Sequence, residues 1–237
     1  MSEIRYNALT HIGKVRKINE DSVVALPEHN VWVVSDGMGG HAGGDYASQT
    51  VIERITMLPL GLTPSELMNG IRNAIIDAHS IICARAQEIG VSTMGATVVA
   101  MLVSDRHLVA FWAGDSRLYR IRDEHIEMLT TDHSVVAELV LAGELSWDEA
   151  ESHPHSNAIT RAVGVGDVLE LDKIRGEVEV GDRYLLCSDG LTKYATFGSL
   201  LNAVRNAPIE TVSEKLLKIA LDGGGADNIS IIVVDIV

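Results

Sequence analysis

Two apolar runs in this chain end alike: Val33-Val34-Ser35-Asp36-Gly37 and Leu186-Cys187-Ser188-Asp189-Gly190. A short run of Val, Ile and Leu bounded by Gly, Asp or Asn reads as a buried strand, so each delivers an aspartate to a strand end. A third Asp lies between two strand-like runs in Trp112-Ala113-Gly114-Asp115-Ser116, and a fourth, in Asp227-Asn228, directly precedes the last run. Singly, Asp beside Gly or Asn is ordinary turn chemistry. If the four ends converge, their carboxylates repel one another unless hard divalent cations such as Mg²⁺ or Mn²⁺ neutralise them. An EF-hand is excluded, because the acids come from distant strands. Isolated Cys83 and Cys187, and a His153-Pro154-His155 pair without a nearby thiolate, give no zinc pattern.

The remaining runs predict further strands at Ser22 to Leu26, Gly95 to Val103, His107 to Ala113, Arg117 to Ile121 and Ile229 to Ile236. Thr63-Pro64-Ser65-Glu66 is a capping box with Pro at the first helical position, opening a helix to about Ile89. Its apolar stripe is Leu67, Ile71, Ala74, Ile75, Ala78, Ile82 and Ala86. Helices are also expected over about 45–58 and 210–221, with a short one opened by the Ser146-Trp147-Asp148-Glu149 box and ended by Pro154. The stretch from Thr130 to Gly166 is the least regular. No Ser- or Pro-rich linker divides the 237 residues, so strands in hairpins and long helices point to one α+β layered domain.

Charge narrows the function. With 19 Lys and Arg against 33 Asp and Glu, the net charge of −14 argues against nucleic acid or an anionic membrane as the partner. No segment reaches the length of apolar chain that spans a bilayer, and Glu3, Arg5, Asn7 and His11 break any signal-peptide core. Two cysteines suit a reducing compartment. The expectation is a cytoplasmic, soluble monomer.

Two segments add chemistry to the aspartates. Arg16 precedes Asn19-Glu20-Asp21, and an Arg fork near a metal cluster would clamp a phosphate through paired donors. The run from Gly37 to Gly44 allows close backbone approach, and the Gly37 carbonyl is itself a possible hard-cation ligand.

The ordered motifs are Arg16…Asn19-Glu20-Asp21-Ser22, Asp36-Gly37-Met38-Gly39-Gly40-His41, Met94-Gly95-Ala96-Thr97, Gly114-Asp115-Ser116-Arg117 and Asp132-His133-Ser134. Thr160-Arg161-Ala162-Val163-Gly164, Ser188-Asp189-Gly190 and Asp227-Asn228-Ile229-Ser230 follow. In this order the chain resembles the metal-dependent protein phosphatases of the 2C type, as a compact bacterial member, from about residue 5 onward. The resemblance implies a four-layer α-β-β-α sandwich, two central antiparallel sheets flanked by helices, with a metal centre at one end. It implies that Asp36 bridges two Mn²⁺ or Mg²⁺ ions, with Asp189 and Asp227 completing one position and the Gly37 carbonyl and, through water, Glu20 serving the other. Asp115, with Asp189, corresponds to a third and weaker metal position. Arg16 corresponds to the phosphate clamp, Asp21 to a residue orienting ligands, and 130–166 to the variable flap.

The implied activity is that of a phosphoserine/phosphothreonine protein phosphatase, in which the dinuclear centre activates a bridging water for direct hydrolysis. Its partners would be phosphoproteins and a bacterial Ser/Thr kinase whose action it reverses. A broader metal-dependent phosphomonoesterase and a catalytically silent phosphopeptide-binding module are the alternatives. The sequence departs from the family in two places. Eukaryotic members have a His, proposed as general acid, where this chain has Met38, and His41 is offset from that position. Ala96 stands where many relatives have Thr.

Overall fold

A computed structural model describes residues 3–39 and 43–237. The chain opens with strands β1 (Ile4–His11), β2 (Ser22–Leu26), β3 (Val31–Ser35) and the two-residue β4 (Gly37–Met38), then helices α1 (Gly44–Thr56) and α2 (Pro64–Ile89). The middle holds β5 (Gly95–Ala96), β6 (Val98–Ser104), β7 (His107–Ala113), β8 (Arg117–Arg122), β9 (His125–Met128), α3 (Val135–Leu141) and α4 (Trp147–Ala150). It closes with β10 (Asp172–Glu177), β11 (Arg183–Cys187), α5 (Asp189–Thr192), α6 (Phe197–Val204), α7 (Val212–Gly223) and β12 (Ile229–Ile236).

Two five-stranded antiparallel sheets, in orders β1-β12-β11-β8-β9 and β10-β7-β6-β3-β2, pack face to face. Trp32, Val34, Val99, Met101, Leu118, Tyr184, Ile232 and Val234 fill the space between them. On the outer faces, Val31 and Val33 pack beneath α1 and α2, while Leu185, Ile231 and Val233 pack beneath α6 and α7. The interior strands are thus buried on both faces, which is why they are written as continuous apolar runs. This is the expected α-β-β-α sandwich, and none of its described helices is long and apolar enough to cross a membrane.

The capping box forms as expected. Thr63 Oγ1 accepts from Glu66 N, the Glu66 carboxylate accepts from Thr63 N, and Gly90 ends α2 in the left-handed conformation. The stripe from Leu67 to Ile82 is buried, and His79 shares that buried face.

Three expectations are modified. The long strand from Gly95 is divided, because at Thr97 the backbone leaves β4–β5 pairing to bond Asp36. The 45–58 helix is Gly44–Thr56 and the 210–221 helix is Val212–Gly223. Edge strands β1, β9 and β10 were not anticipated, since they alternate polar and partly buried residues instead of running apolar.

Candidate active site

One cavity of about 240 Å³ lies at the end of the sandwich where the strand-end aspartates emerge. Arg16, Glu20, Asp36, Gly37, Asp115, Asp189 and Asp227 all line it, together with Met38, Gly39, Asn157, Ile159 and Lys193. Asp36 follows β3 in one sheet, and Asp189 follows β11 in the other. Asp115 sits in the turn where the chain passes from β7 to β8, hence from one sheet to the other. Asp227 precedes β12. Every residue expected in the site therefore reaches the same place.

Backbone bonds fix these ends. A Cβ at Gly37 would lie 2.1 Å from Gly44 O and 2.5 Å from Glu20 O, so only glycine lets the two loops cross. Gly37 N donates to Glu20 O at 3.1 Å, bringing the Glu20 and Asp36 segments together. Asn228 holds the loop that carries Arg16 and Glu20: its Oδ1 accepts from Glu20 N at 2.9 Å, and its Nδ2 donates to Ile12 O and Ile18 O. Thr97 grips Asp36, accepting its N–H through Oγ1 at 2.9 Å and donating its own N–H to Asp36 O at 2.8 Å.

Charge at this end is concentrated and unevenly compensated. Asp21 and Asp115 each leave one buried carboxylate oxygen without a hydrogen-bond partner. Burial, followed by the fields of Asp21, Asp189, Asp115 and Asp227, holds the Asp36 carboxyl well above the usual range. Asp115 is raised by burial and then by Asp189 and Asp132. Burial lifts Asp21 to about 7. Asp227 is lowered: burial pushes it up, but Lys193 and Arg16 pull it down further. Arg16 forks Asp227 with Nε to Oδ1 and Nη2 to Oδ2, both at 2.9 Å. Lys193 Nζ lies 2.8 Å from Asp189 and 3.1 Å from Asp227.

Among the described residues, no three Asp, Glu, His or Cys side chains are already grouped around one point as a metal cage. The carboxylates share a cavity but not a centre, because Asp189 and Asp227 turn toward Lys193 and Arg16. The donor chemistry nonetheless fits hard divalent ions. All the acidic donors are oxygens, two are buried and unbonded, and carboxylates this close raise one another's pKa.

The sequence model of the family described as Protein phosphatase 2C matches residues 11–222. This chain belongs to the protein phosphatase 2C family. It is 37% identical over 235 residues to the serine/threonine protein phosphatase PstP of Mycobacterium tuberculosis, covering 99% of this chain. It spans 45% of that relative's length. The catalytic domain of PstP, solved in complex with two manganese ions, superposes with a TM-score of 0.85 at 35% identity, covering 99% of this chain and 98% of that one. PppA, described as a key regulatory component of T6SS in Pseudomonas aeruginosa, superposes with a TM-score of 0.92 at 36% identity, covering 100% and 99% of the two chains.

In this phosphatase 2C chain Asn157 and Ile159, from the segment 130–166, form part of the cavity wall. The base of that segment is a buried ionic cluster. Arg117, 5% exposed, donates from Nε and Nη2 to Asp132, lies 2.8 Å from Glu151, and has its guanidinium 5.2 Å from the Trp147 ring. Two histidines tie the segment's ends to the body through Nδ1: His133 accepts from Gly114 N at 3.1 Å and His79 from Gly164 N at 3.0 Å. His133 Nε2 lies 3.0 Å from Arg161 Nη1 and 3.4 Å from Asp172. His153 and His155 face each other in a loop away from the cavity, and His41 lies outside the described residues.

Sequence reasoning missed Lys193, Asn157, Ile159 and Thr97 as site residues. Lys193 had one signal, its spacing of four from Asp189, which becomes meaningful only once Asp189 begins a helix.

Proposed function

We propose that this chain removes phosphate from phosphoserine and phosphothreonine in protein substrates. The observation that carries the reading is the convergence of Asp36 and Asp189, from different sheets, with Asp227 and the Arg16 fork in one cavity. Asp36, Asp189 and Asp227 would hold one Mn²⁺ or Mg²⁺ ion. Asp36, the Gly37 carbonyl and, through water, Glu20 would hold another, and Asp115 with Asp189 a third, weaker one. When bound, such a pair of ions supplies an activated water and neutralises the phosphoryl oxygens during in-line displacement.

The chain's own residues supply orientation. Arg16, with a side chain 48% exposed, presents a planar set of donors at the cavity mouth, suited to two phosphoryl oxygens at once. Nε and Nη2 already contact Asp227, so clamping a phosphoryl group through them requires Arg16 to release that carboxylate. Thr97 and Gly37 keep Asp36 at a fixed height in the cavity, and Asp21, which accepts from Ser188 Oγ at 2.8 Å, adds its charge to the field at Asp36. Met38 stands where a general acid would be useful but carries no transferable proton, so the leaving alkoxide takes its proton from solvent. Asn157 and Ile159 shape the wall that meets residues flanking the phosphate.

The natural counterpart of this reaction is a Ser/Thr kinase, whose product is this enzyme's substrate. We read residues 1–237 as one phosphatase domain with a flap at about 130–166, acting as a monomer. Free Cys83 and Cys187 suit the cytoplasm.

The test is phosphate release from matched phosphothreonine, phosphoserine and phosphotyrosine peptides, in Mn²⁺ or in EDTA, for the wild type and Asp36→Asn. Release from the first two that needs Mn²⁺ and collapses in the variant supports the reading. Equal release from phosphotyrosine would favour a broader phosphomonoesterase. No release from a folded, Mn²⁺-loaded chain would favour a phosphopeptide-binding module.

A further inference from the structure

Lys193 lies one helical turn beyond Asp189, and its ammonium bridges Asp189 at 2.8 Å and Asp227 at 3.1 Å. The three side chains are only 18–20% exposed, so the contact is weakly screened by solvent. Under the proposed function these two carboxylates serve the same ion. Asp227 is fully engaged by protein neighbours: Oδ1 meets Arg16 Nε and accepts from Asn228 N, while Oδ2 meets Arg16 Nη2 and Lys193 Nζ. Arg16 is half exposed and lines the cavity. Lys193, which caps the C-terminus of α5, is held between the two carboxylates.

We propose that Lys193 is an internal competitor for the metal position formed by Asp189 and Asp227. Its fixed positive charge holds the two carboxylates together when no divalent ion is bound, and it repels an ion that enters between them. The physical basis is Coulombic. A unit charge within a few ångströms of a divalent ion, in a cavity partly shielded from water, opposes binding far more than it would at the surface. The result is a site whose occupancy follows the free Mn²⁺ or Mg²⁺ concentration instead of remaining saturated. This inference rests on the metal-centre reading and goes beyond it, because it assigns this chain a residue that sets metal affinity.

The experiment measures Mn²⁺ binding calorimetrically on the full chain, and thermal melting in EDTA and in Mn²⁺, for wild type, Lys193→Met and Lys193→Arg. Lys193→Met is expected to bind Mn²⁺ about tenfold more tightly. It should melt lower in EDTA and gain more from Mn²⁺ than the wild type does. Lys193→Arg, keeping the charge, should bind like the wild type. Should the Met variant misfold, Lys193→Gln carries the same expectation. Unchanged or weaker Mn²⁺ binding by a folded, uncharged variant overturns the inference while leaving the metal centre standing. A wild type that takes up no Mn²⁺ overturns the metal centre itself, and this inference with it.

Discussion

At the floor of the cleft, Asp36 and Asp189 leave interior strands of two different sheets, and main-chain bonds and close-packed glycines set their positions. In the segment 130–166, α3 and α4 span only seven and four residues; main-chain bonds tie its ends to the body, Val163 with Ala96 and His133 N with Gly114 O, and the side chains of Arg117, His79 and His133 add to them. The floor is held by backbone geometry reinforced by the Thr97 and Asn228 side chains. Between its main-chain-anchored ends, the segment 130–166 relies on side-chain contacts that single substitutions can loosen. Chemistry common to a family belongs on the first kind of support, and substrate choice on the second.

The largest expected effect breaks the floor chemically. Asp36→Asn should lower phosphothreonine-peptide hydrolysis more than about 100-fold. Its melting temperature in EDTA should not fall, because the substitution removes a charge that burial and four neighbouring aspartates oppose. Next comes the junction between the regions. Arg117→Met strands Asp132 and Glu151 without their counter-charge and should cost about 3 kcal/mol in urea unfolding. Gly37→Ala, which drives a methyl into Gly44 O and Glu20 O, should cost about 2 kcal/mol and weaken Mn²⁺ binding as well.

A smaller effect separates the regions by pH. Burial lowers the pKa of both His79 and His133, the latter with help from Arg161. A depressed folded-state pKa means stability that is complete above the ordinary value near about 6.5 and is lost as pH falls through the folded values. Limited proteolysis in the segment 130–166 should therefore quicken as pH falls below about 6.5, and the double variant His79→Gln/His133→Gln should flatten that dependence. Smallest of all, Leu141→Ser, at a site 70% exposed in that segment, should shift stability by less than about 0.5 kcal/mol.

The same contrast explains what was legible in the sequence. Strands β2, β3 and β7 fall where expected because their apolar content is continuous and turn residues bound it. Helix α2 is legible from Thr63, Pro64 and Glu66 alone. Edge strands β1, β9 and β10 were hidden because they mix polar and apolar residues, whereas edge strand β2 was legible from its continuous apolar run. In the site, the acids and Arg16 are recognisable by type and by position at strand ends. Lys193 is not, because its meaning depends on a four-residue helix that no periodicity announces. Arg117, Asp132, Glu151 and Trp147 form one cluster, yet spread over 35 residues they carry no local pattern, and only the fold brings them together.

The division of the strand at Thr97 links two parts of the floor that are remote in sequence. The hydroxyl that accepts the Asp36 N–H also shares a hydrogen bond at 2.7 Å with Ser116, the neighbour of Asp115, and the Gly114 backbone packs directly on the same side chain. Asp36 and Asp115 are thus mounted on a common pivot. A displacement of one turn is transmitted to the other through a single oxygen atom, so the two carboxylates keep their spacing as a unit, and a Thr97→Val chain would possess the same ligands with that correlation removed.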